Sequence, residues 1–378
     1  MGACLRLTVL AIPPVVPLLH ADLHLSETDV GWLSSLPPML FAIAAVPGSL
    51  LIARFGMVPA LLVGLLLSAF GGAARGAIAD TASLYAATIA MGGGISIVQT
   101  VMPTLVRSWF PERIGLATSI YTNGLLVGEV IPVALTIPLL LPLLHGSWRL
   151  DFAVWSTPVL ATTLLFALFA PQSASAKSAT APNRRWWPDW HDPLIWRLGL
   201  ILGSVNATYF VTNAFLPDYV TAAGRPDLVS AALTALNIGQ LPSSLLMLPL
   251  AERLVTRPWA YVVTGTLSFA SVAGIMLSQG LWVVFWAGML GFAGTPTLVM
   301  ALALPSILSA PDDVHRSTAG MFTISYSCAM VMSVFVGWLW DFTRLPIVAF
   351  TPIALCGLVI VALSSTVRHA DRRRGVAA

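Results

Sequence analysis

Long apolar segments dominate the sequence and leave little freedom in how it can fold. Hydrophobic residues make up 57% of the chain and charged residues 9%, whereas a soluble protein carries roughly a quarter charged residues. An apolar run of about 20 residues is long enough to cross a bilayer as a helix. Because lipid offers no partners for peptide N–H and C=O groups, such runs must be helical. Twelve of them can be traced, over residues 2–19, 30–53, 57–79, 82–106, 114–144, 151–170, 194–220, 228–251, 258–279, 281–309, 317–340 and 346–367.

Basic residues are unevenly distributed between the loops that these segments define. An even number of spans places both termini on one side, and loops rich in Lys and Arg face the cytoplasm. With a cytoplasmic N-terminus, the inner loops and tail carry thirteen basic residues: Arg54, Arg107, Arg113, Lys177, Arg184, Arg185, Arg253, Arg257, Arg316, Arg368, Arg372, Arg373 and Arg374. The outer loops carry four: Arg75, Arg149, Arg225 and Arg344. We therefore expect a multi-pass membrane protein with both termini in the cytoplasm, and take the membrane to be a bacterial inner or plasma membrane.

The sequence contains a weak internal repeat at about half its length. Residues 115–121 read GLATSIY and residues 320–326 read GMFTISY, and Arg113 and Arg316 closely precede the two glycines. Internal repeats of this kind are typical of secondary transporters, in which two related halves surround a central site. We predict an all-α membrane protein with two pseudo-symmetric six-helix bundles. Their expected boundaries are residues 1–170 and 194–378, the second with a basic cytoplasmic tail, joined by a cytoplasmic linker over residues 171–193.

Arg6 is the charged residue that most suggests a function within the apolar segments. It precedes Leu19, the outer end of its segment, by 13 residues, or roughly 20 Å of helix. Charges at such depth are rare and usually functional, although a side chain this close to the N-terminus can also extend to the cytoplasm. A guanidinium suits small planar oxyanions. The spacing of Arg6 to Pro17 equals that of Asn206 to Pro217, so Arg6 and Asn206 are expected to face each other near the pseudo-twofold axis.

Glu129 is the one carboxylate that the sequence places well inside a span, the fifth. We considered three roles for it: a counter-ion for Arg6, a proton-coupling group with a carboxyl perturbed by desolvation, and a neutral acid packed against a neighbouring helix.

Uncharged polar residues extend the candidate substrate site. Asn206, Tyr209 and Asn213 follow an i, i+3, i+7 spacing and share one helix face. Tyr121 and Tyr326 occupy equivalent positions of the repeat. The full set of candidate substrate-binding residues is Arg6, Gln99, Tyr121, Asn206, Tyr209, Asn213, Gln240 and Tyr326, with Glu129 as the coupling candidate and Arg54, Arg113, Arg253 and Arg316 as a cytoplasmic gate.

The motifs of common enzymes are missing from the sequence. It contains no H-E-x-x-H, C-x-x-C or G-x-S-x-G, and no phosphate-binding G-x-x-x-x-G-K. The three cysteines, Cys4, Cys328 and Cys356, lack metal-ligand spacing. We expect no enzymatic activity, no cofactor, no metal site and no nucleic-acid partner.

The sequence resembles the major facilitator superfamily, and within it the cyanate porter and nitroimidazole porter family. The resemblance extends over nearly the whole chain, and the residues that carry it are Arg6 with Pro13–Pro17, Leu33–Pro37, Gly92–Phe110, Gly203–Gly224 and Leu236–Gln240. It implies a single-chain porter that moves a small solute by alternating access. Two features depart from the pattern: Ala53 stands where an acidic residue usually precedes Arg54-Phe55-Gly56, and few residues precede Arg6.

The resemblance and Arg6 together favour transport of a small anion of the cyanate type, with a proton as a possible coupling ion and the lipid bilayer as surroundings. The main alternative is efflux of small neutral or weakly basic drugs such as nitroimidazoles. A nitrate or nitrite porter is less favoured, because Asn206 holds the position of a second arginine. The chain is expected to act as a monomer.

Overall fold

The computed structural model describes residues 1–23, 27–77, 80–169 and 185–367, and within these ranges all regular structure is helical. In chain order the α-helices are α1 (Cys4–Leu7), α2 (Val16–Leu23), α3 (Glu27–Ile43), α4 (Ala45–Phe55), α5 (Met57–Ala74), α6 (Thr81–Trp109), α7 (Ile114–Leu135), α8 (Leu141–Leu143), α9 (Trp148–Phe169), α10 (Pro193–Ala222), α11 (Val229–Ile238), α12 (Gln240–Leu254), α13 (Pro258–Leu277), α14 (Leu281–Leu308), α15 (Val314–Thr343) and α16 (Thr351–Leu363). A π-helix spans Thr136–Leu140, and short 3₁₀ turns such as Pro111–Arg113 and Pro311–Asp313 join several helices.

Many of these helices are long and apolar enough to cross a membrane. In the described ranges nine pass that test on length and composition alone: Met57–Ala74, Thr81–Trp109, Pro111–Leu143, Trp148–Phe169, Pro193–Ala222, Pro226–Leu254, Pro258–Leu277, Leu281–Leu308 and Pro311–Thr343. A bent pair, Leu36–Ile43 and Ala45–Phe55, adds a tenth, and Thr351–Val367 is a shorter apolar helix. The remaining predicted span is the first segment of the chain.

That first segment is not the single helix that its apolar composition predicts. Only Cys4–Leu7 and Val16–Leu23 are α-helical, and irregular turns and a 3₁₀ turn separate them. Pro13 and Pro14 explain the break, because a proline ring clashes with the carbonyl four residues earlier and lacks the N–H of a helical bond. Part of the irregular backbone is buried in protein, since Thr8 and Ala11 are both 0% exposed, whereas Pro13 is exposed. Non-helical backbone is tolerated at membrane depth only under such shielding.

The same effect of proline accounts for two further breaks. The bent pair is kinked by 46°, and its break follows Ile43, four residues before Pro47. Helix α11 ends at Ile238, four residues before Pro242. In each case the helix ends at the carbonyl that the proline ring would meet.

The chain forms two compact units. Unit 1 comprises Met1–Leu105 and Ile120–Pro188, and unit 2 comprises Val106–Ser119 and Asp189–Ala378. The short segment Val106–Ser119, between the fourth and fifth predicted spans, thus packs with the C-terminal helices. The predicted bundle boundaries stay a prediction. Residue 170, residues 171–184 of the predicted linker and the basic tail at 368–378 lie outside the described residues.

Each unit has its own apolar core, and the remaining apolar surface faces outwards. In unit 1 the broken first segment packs with Trp148, Phe152 and Trp155 of α9. In unit 2 the core joins α10, α11, α14 and α16. Large side chains such as Leu168 and Leu277 are 76% and 82% exposed. A surface of this kind suits lipid rather than water.

Aspartates cap two of the long helices. The backbone N–H of Ser83 donates to Asp80 Oδ1 at 2.8 Å at the start of α6, and this hydrogen bond holds the pKa of the Asp80 carboxyl below its ordinary value. At the start of α10, Leu194 N–H donates to Asp192 Oδ1 at 2.9 Å, and Pro193 occupies the first helical position. Both arrangements satisfy amides that the helix itself leaves unpaired.

Glycines allow the first segment to lie directly against α7. A Cβ atom added to Gly128 would stand 2.4 Å from the Ala3 carbonyl oxygen, and one added to Gly124 would stand 3.2 Å from Ala3 N. Small residues four apart let two membrane helices approach closely. Unit 2 has the same kind of glycine-mediated helix contact, because a Cβ atom added to Gly199 or Gly203 of α10 would meet α15 side chains.

Gly128→Ala should therefore lower the stability of the detergent-solubilised protein, by roughly 2 kcal/mol, because the added methyl group collides with backbone that cannot move aside. Gly93→Ala is the matched control, since a Cβ at Gly93 has nothing within 4 Å. Melting temperatures of the two variants provide the measurement. Equal melting temperatures for both variants would contradict this packing.

Candidate functional site

Arg6 and Glu129 form an ion pair in unit 1. Arg6 Nε lies 3.2 Å from Glu129 Oε1, and the two side chains are only 16% and 20% exposed. The guanidinium also lies over the Phe41 ring, 5.6 Å from its centroid. The close approach of α1 to α7 produces this pair, because Glu129 directly follows Gly128. The predicted counter-ion role of Glu129 is thus consistent with the geometry.

The pairing changes how an anion could bind Arg6. A largely buried guanidinium and carboxylate attract each other far more strongly than they would in water, and each loses its compensation if the other leaves. An incoming anion must therefore replace the Glu129 carboxylate rather than fill a free cationic site. The arrangement can exchange one negative charge for another.

Two further predicted residues of unit 1 are also buried. Gln99 on α6 is 6% exposed and Tyr121 on α7 is 8% exposed. A Cβ atom added to Gly2 would collide with the backbone carbonyl oxygen of Tyr121, so Tyr121 belongs to the close contact between the first segment and α7. The predicted encounter of Arg6 with Asn206 joins residues of different units and stays a prediction.

The polar stripe on α10 divides between two neighbouring helices of unit 2. Asn206 Nδ2 donates to Ser325 Oγ on α15 at 2.8 Å. Tyr209 and Asn213 instead bond to Asn237 on α11, where Tyr209 donates its hydroxyl to Asn237 Oδ1 at 2.9 Å and Asn237 Nδ2 donates to Asn213 Oδ1 at 3.1 Å. The shared helix face predicted that these three side chains lie close together. It did not predict that Asn206 bonds to a different helix from Tyr209 and Asn213.

Asn237 completes this network, although the spacing argument did not select it. Its Nδ2 also donates to the Leu233 carbonyl, and Asn213 Nδ2 donates to the Tyr209 carbonyl. Asn237 lies one residue before the end of α11, next to the break at Gly239. A polar residue beside a proline-induced helix break is the sequence signal that could have identified Asn237.

Gln240 and Tyr326 lie within the packed interior of unit 2. Gln240 is the first residue of α12 and 7% exposed, and its Cγ would lie 3.5 Å from a Cβ at Gly291 of α14. Tyr326 on α15 is 3% exposed and stacks on Phe322, with ring centroids 6.0 Å apart.

Of the four predicted gate arginines, one is buried. Arg316 is 9% exposed and lies 3.0 Å from Asp313 Oδ1 and 3.9 Å from Asp189 Oδ2. Arg54, Arg113 and Arg253 are exposed. The four arginines predicted to form one gate therefore lie in different environments, because the position of a residue in a loop does not indicate whether its side chain is buried.

Two residues that the sequence analysis left outside the gate make specific contacts in unit 2. Arg107 donates from one guanidinium nitrogen to the carbonyls of Ser306 and Ser309, at 2.5 and 2.6 Å, at the C-terminal end of α14. Glu252 Oε2 accepts the backbone N–H of Leu116, in the first turn of α7, at 3.2 Å. A cation at a helix C-terminus and a carboxylate at a helix N-terminus each complement the helix dipole. They attach the segment Val106–Ser119 to α14 and α12.

Arg75 and Asp151 are fully buried charges that the sequence analysis did not recognise. It assigned Arg75 to an outer loop and did not consider Asp151, yet both are 0% exposed in unit 1. They lie at helix ends, Arg75 just after α5 and Asp151 in the first turn of α9. Arg75 contacts the broken first segment through the Thr8 carbonyl, and sequence position does not reveal such a contact.

The described residues contain no group of three or more His, Cys, Asp or Glu side chains that could hold a metal ion.

The helical architecture and polar residues shielded within apolar helices are features of a membrane transporter, and comparison with known proteins identifies the family. The family model of the Major Facilitator Superfamily matches residues 1–309, so the chain belongs to this superfamily of transporters. It is an integral membrane protein with the fold of two six-helix bundles and twelve membrane-spanning segments.

Three relatives align over most of their length. The chain is 28% identical to the cyanate transport protein CynX of Escherichia coli K12, covering 96% of this chain and 94% of the relative. It is 24% identical to the uncharacterized transporter YycB of Bacillus subtilis 168, covering 98% and 91%. Identity to the 2-nitroimidazole transporter of Escherichia coli K12 is 24%, covering 85% and 81%. These findings confirm the resemblance drawn from the sequence.

A solved structure supports the same fold. The crystal structure of the transporter FucP in the outward conformation matches with a TM-score of 0.71 at 14% identity, covering 96% of this chain and 97% of that one.

Removing one member of the Arg6–Glu129 pair should destabilise the protein more than removing both. We expect Arg6→Gln and Glu129→Gln each to lower the free energy of unfolding by about 3 kcal/mol, since each leaves an uncompensated, largely buried charge. The double variant should recover a large part of that loss. Unfolding of the four proteins in detergent measures the coupling energy. Additive losses would show that the two charges do not interact.

Proposed function

We propose that this protein is a secondary transporter that moves a small anion of the cyanate type by alternating access, and that Arg6 binds the anion. The observation that carries the proposal is the Arg6–Glu129 ion pair, which lies at 3.2 Å in a shielded part of unit 1. The relationship to a cyanate transport protein supports the substrate class.

The ion pair suggests how anion and proton are coupled. When the anion binds Arg6, it takes the place of the Glu129 carboxylate, which would then be left without compensation. A proton bound by that carboxylate removes the uncompensated charge. Anion and proton thus enter together, and the combined step carries no net charge.

The chemistry of Arg6 also limits the size and shape of the solute. A guanidinium presents its donors in one plane and pairs best with planar or linear oxyanions that accept two hydrogen bonds. The Phe41 ring, with its centroid 5.6 Å from the guanidinium carbon, occupies one face of the group. A small anion that approaches the edge of the guanidinium fits this environment.

Efflux of a small neutral or weakly basic compound such as a nitroimidazole is the second candidate. The same ion pair favours it in one respect, because the charges of Arg6 and Glu129 already compensate each other and leave no net charge for an anion. The relationship to a 2-nitroimidazole transporter agrees with this alternative. The two functions differ in whether transport needs the positive charge of Arg6.

The remaining parts of the proposal concern placement and site. The predominance of basic residues on one side of the predicted spans supports a cytoplasmic location of both termini. The bacterial relatives support a location in a bacterial inner or plasma membrane. We further propose that Gln99, Tyr121, Gln240 and Tyr326, which are buried, and Asn206, which is partly buried, contribute to solute binding. We also propose that Arg316 belongs to the cytoplasmic gate.

Uptake into proteoliposomes should distinguish the two functions. If an anion binds Arg6, Arg6→Ala should reduce cyanate uptake at least about 100-fold, the loss expected for a charge-assisted contact of roughly 3 kcal/mol, and Arg6→Lys should retain part of it. Arg225→Ala, at an exposed arginine paired with Asp227, is the control and should transport normally. Cyanate uptake that persists in Arg6→Ala would exclude the anion site.

The coupling role of Glu129 has its own test. Glu129→Gln should abolish uptake driven by a pH gradient but keep exchange of labelled for unlabelled anion, because exchange requires no net proton movement. The measurement compares gradient-driven uptake with exchange in the same vesicles. If the variant still accumulates the anion in response to a pH gradient, Glu129 does not carry the proton.

A further inference from the structure

A second basic residue and a second acidic residue are buried in unit 1, away from Arg6 and Glu129 in the chain and not explained by the proposed function. Arg75 follows the last residue of α5, and Asp151 belongs to the first turn of α9. Both side chains are 0% exposed. Ionised groups are seldom buried this completely unless they serve a function or are fully paired.

Arg75 is held by backbone rather than by a carboxylate. Its Nη2 donates to the Thr8 carbonyl at 2.6 Å and its Nε donates to the Gly72 carbonyl at 3.3 Å. The guanidinium also lies over the Phe152 ring, 4.3 Å from the centroid. Its Nη1 has no hydrogen-bond acceptor in the described part of the chain. Arg75 therefore supports the irregular backbone of the first segment and keeps one donor unused.

Asp151 is the buried carboxyl that could use this donor. Neither of its oxygens accepts a hydrogen bond within the described ranges. Trp155 and Thr136 are its polar neighbours, but the Trp155 indole N–H donates to Thr136 Oγ1 at 2.9 Å instead. Thr136 begins the π-helix Thr136–Leu140, an irregularity often found at functional sites. Thr136 and Trp155 lie close enough to interact with the Asp151 carboxyl, but neither forms a hydrogen bond to it in its present position.

We propose that Asp151 is a proton-binding site, in which the carboxyl is protonated in the arrangement seen here and ionises when it pairs with Arg75. The neutral acid needs no donor and tolerates this environment, whereas the carboxylate needs the free Nη1 of Arg75 as its partner. The step is a simple proton transfer to water, with no other change in bonding. Arg75 is a positioning residue for this site.

Protonation of Asp151 then affects the first segment. In the protonated state the Arg75 guanidinium stays bound to the Thr8 carbonyl and secures the break in the first span. In the ionised state Asp151 attracts the guanidinium and weakens that anchor. The proposal holds whichever solute is carried, because it concerns the proton and the backbone of unit 1.

Other titratable groups lie on the elements around α9 and set the context for this site. They are Arg75 beside α5, Asp22 on α2, Cys4 and Arg6 on α1, and Glu129 on α7. Asp22 accepts hydrogen bonds from Trp148 and Arg149 at the exposed start of α9, and Arg6 pairs with Glu129. Of these groups, Arg75 interacts electrostatically with Asp151.

Infrared difference spectroscopy of the purified protein between high and low pH tests the proton site without any solute. We expect a carbonyl band of a buried protonated carboxyl that persists in Glu129→Gln and in the control Asp341→Asn, which alters an exposed aspartate, but vanishes in Asp151→Asn. In Asp151→Glu, which keeps an acid, the band should shift in frequency. A spectrum unchanged by both substitutions at Asp151 would overturn the proposal, and loss of the band in Glu129→Gln alone would assign the proton to Glu129.

The anchoring claim has a separate test at fixed pH. Cys4 lies just before the break and its thiol donates to Thr162 Oγ1 at 3.3 Å. In a background with Cys328→Ser and Cys356→Ser, alkylation of Cys4 at alkaline pH should be several-fold slower in Asp151→Asn than with Asp151, because the uncharged side chain leaves Arg75 on the Thr8 carbonyl. Equal rates would contradict the link between Asp151 and the first segment.

Discussion

The structure depends on one constraint: polar and charged groups enclosed by apolar helices must find partners within the protein. The constraint acts first on the backbone, where prolines break the helices. It acts next on the side chains, because Arg75 supplies donors to carbonyls near one such break and Arg6 pairs with Glu129. In water these contacts would contribute little, but in a shielded environment each unpartnered group costs several kcal/mol. The broken first segment and the Arg6–Glu129 pair therefore reflect the same requirement, that polar groups enclosed by the helices have partners within the protein.

Each unit meets this constraint with the same kind of helix contact. In unit 1, glycines of α7 let the first segment approach, and Arg6 pairs with Glu129 across the contact. In unit 2, glycines of α10 let α15 approach, and Asn206 donates to Ser325. Both contacts join the first and fifth helices of a repeat. The charged bridge of unit 1 and the neutral bridge of unit 2 give the two related halves different chemistry.

Sequence reasoning predicted the helical membrane architecture and the family, because these follow from composition and long-range resemblance. It named a counter-ion for Arg6 as one of three roles for Glu129 and did not decide between them. It did not predict that the first span is broken, although the sequence contains Pro13 and Pro14 there. The reason is that an apolar run indicates a membrane span whether or not its backbone is a regular helix. Sequence reasoning also missed Arg75, which was assigned to a loop, and Asp151, which begins a predicted span, because the burial of residues at helix ends depends on tertiary packing. Asn237 was not included in the candidate site for a related reason, since its partners Tyr209 and Asn213 lie on a neighbouring helix.

The account rests on the claim that an anion and a proton exchange places at the Arg6–Glu129 pair. The most direct test counts the protons taken up when cyanate binds the purified protein, by calorimetric titration in buffers of different ionisation enthalpy. The account predicts that each anion bound takes up one proton in the wild-type protein, and that Glu129→Gln binds the anion with no proton uptake. Binding to the wild-type protein with no uptake of protons would contradict it.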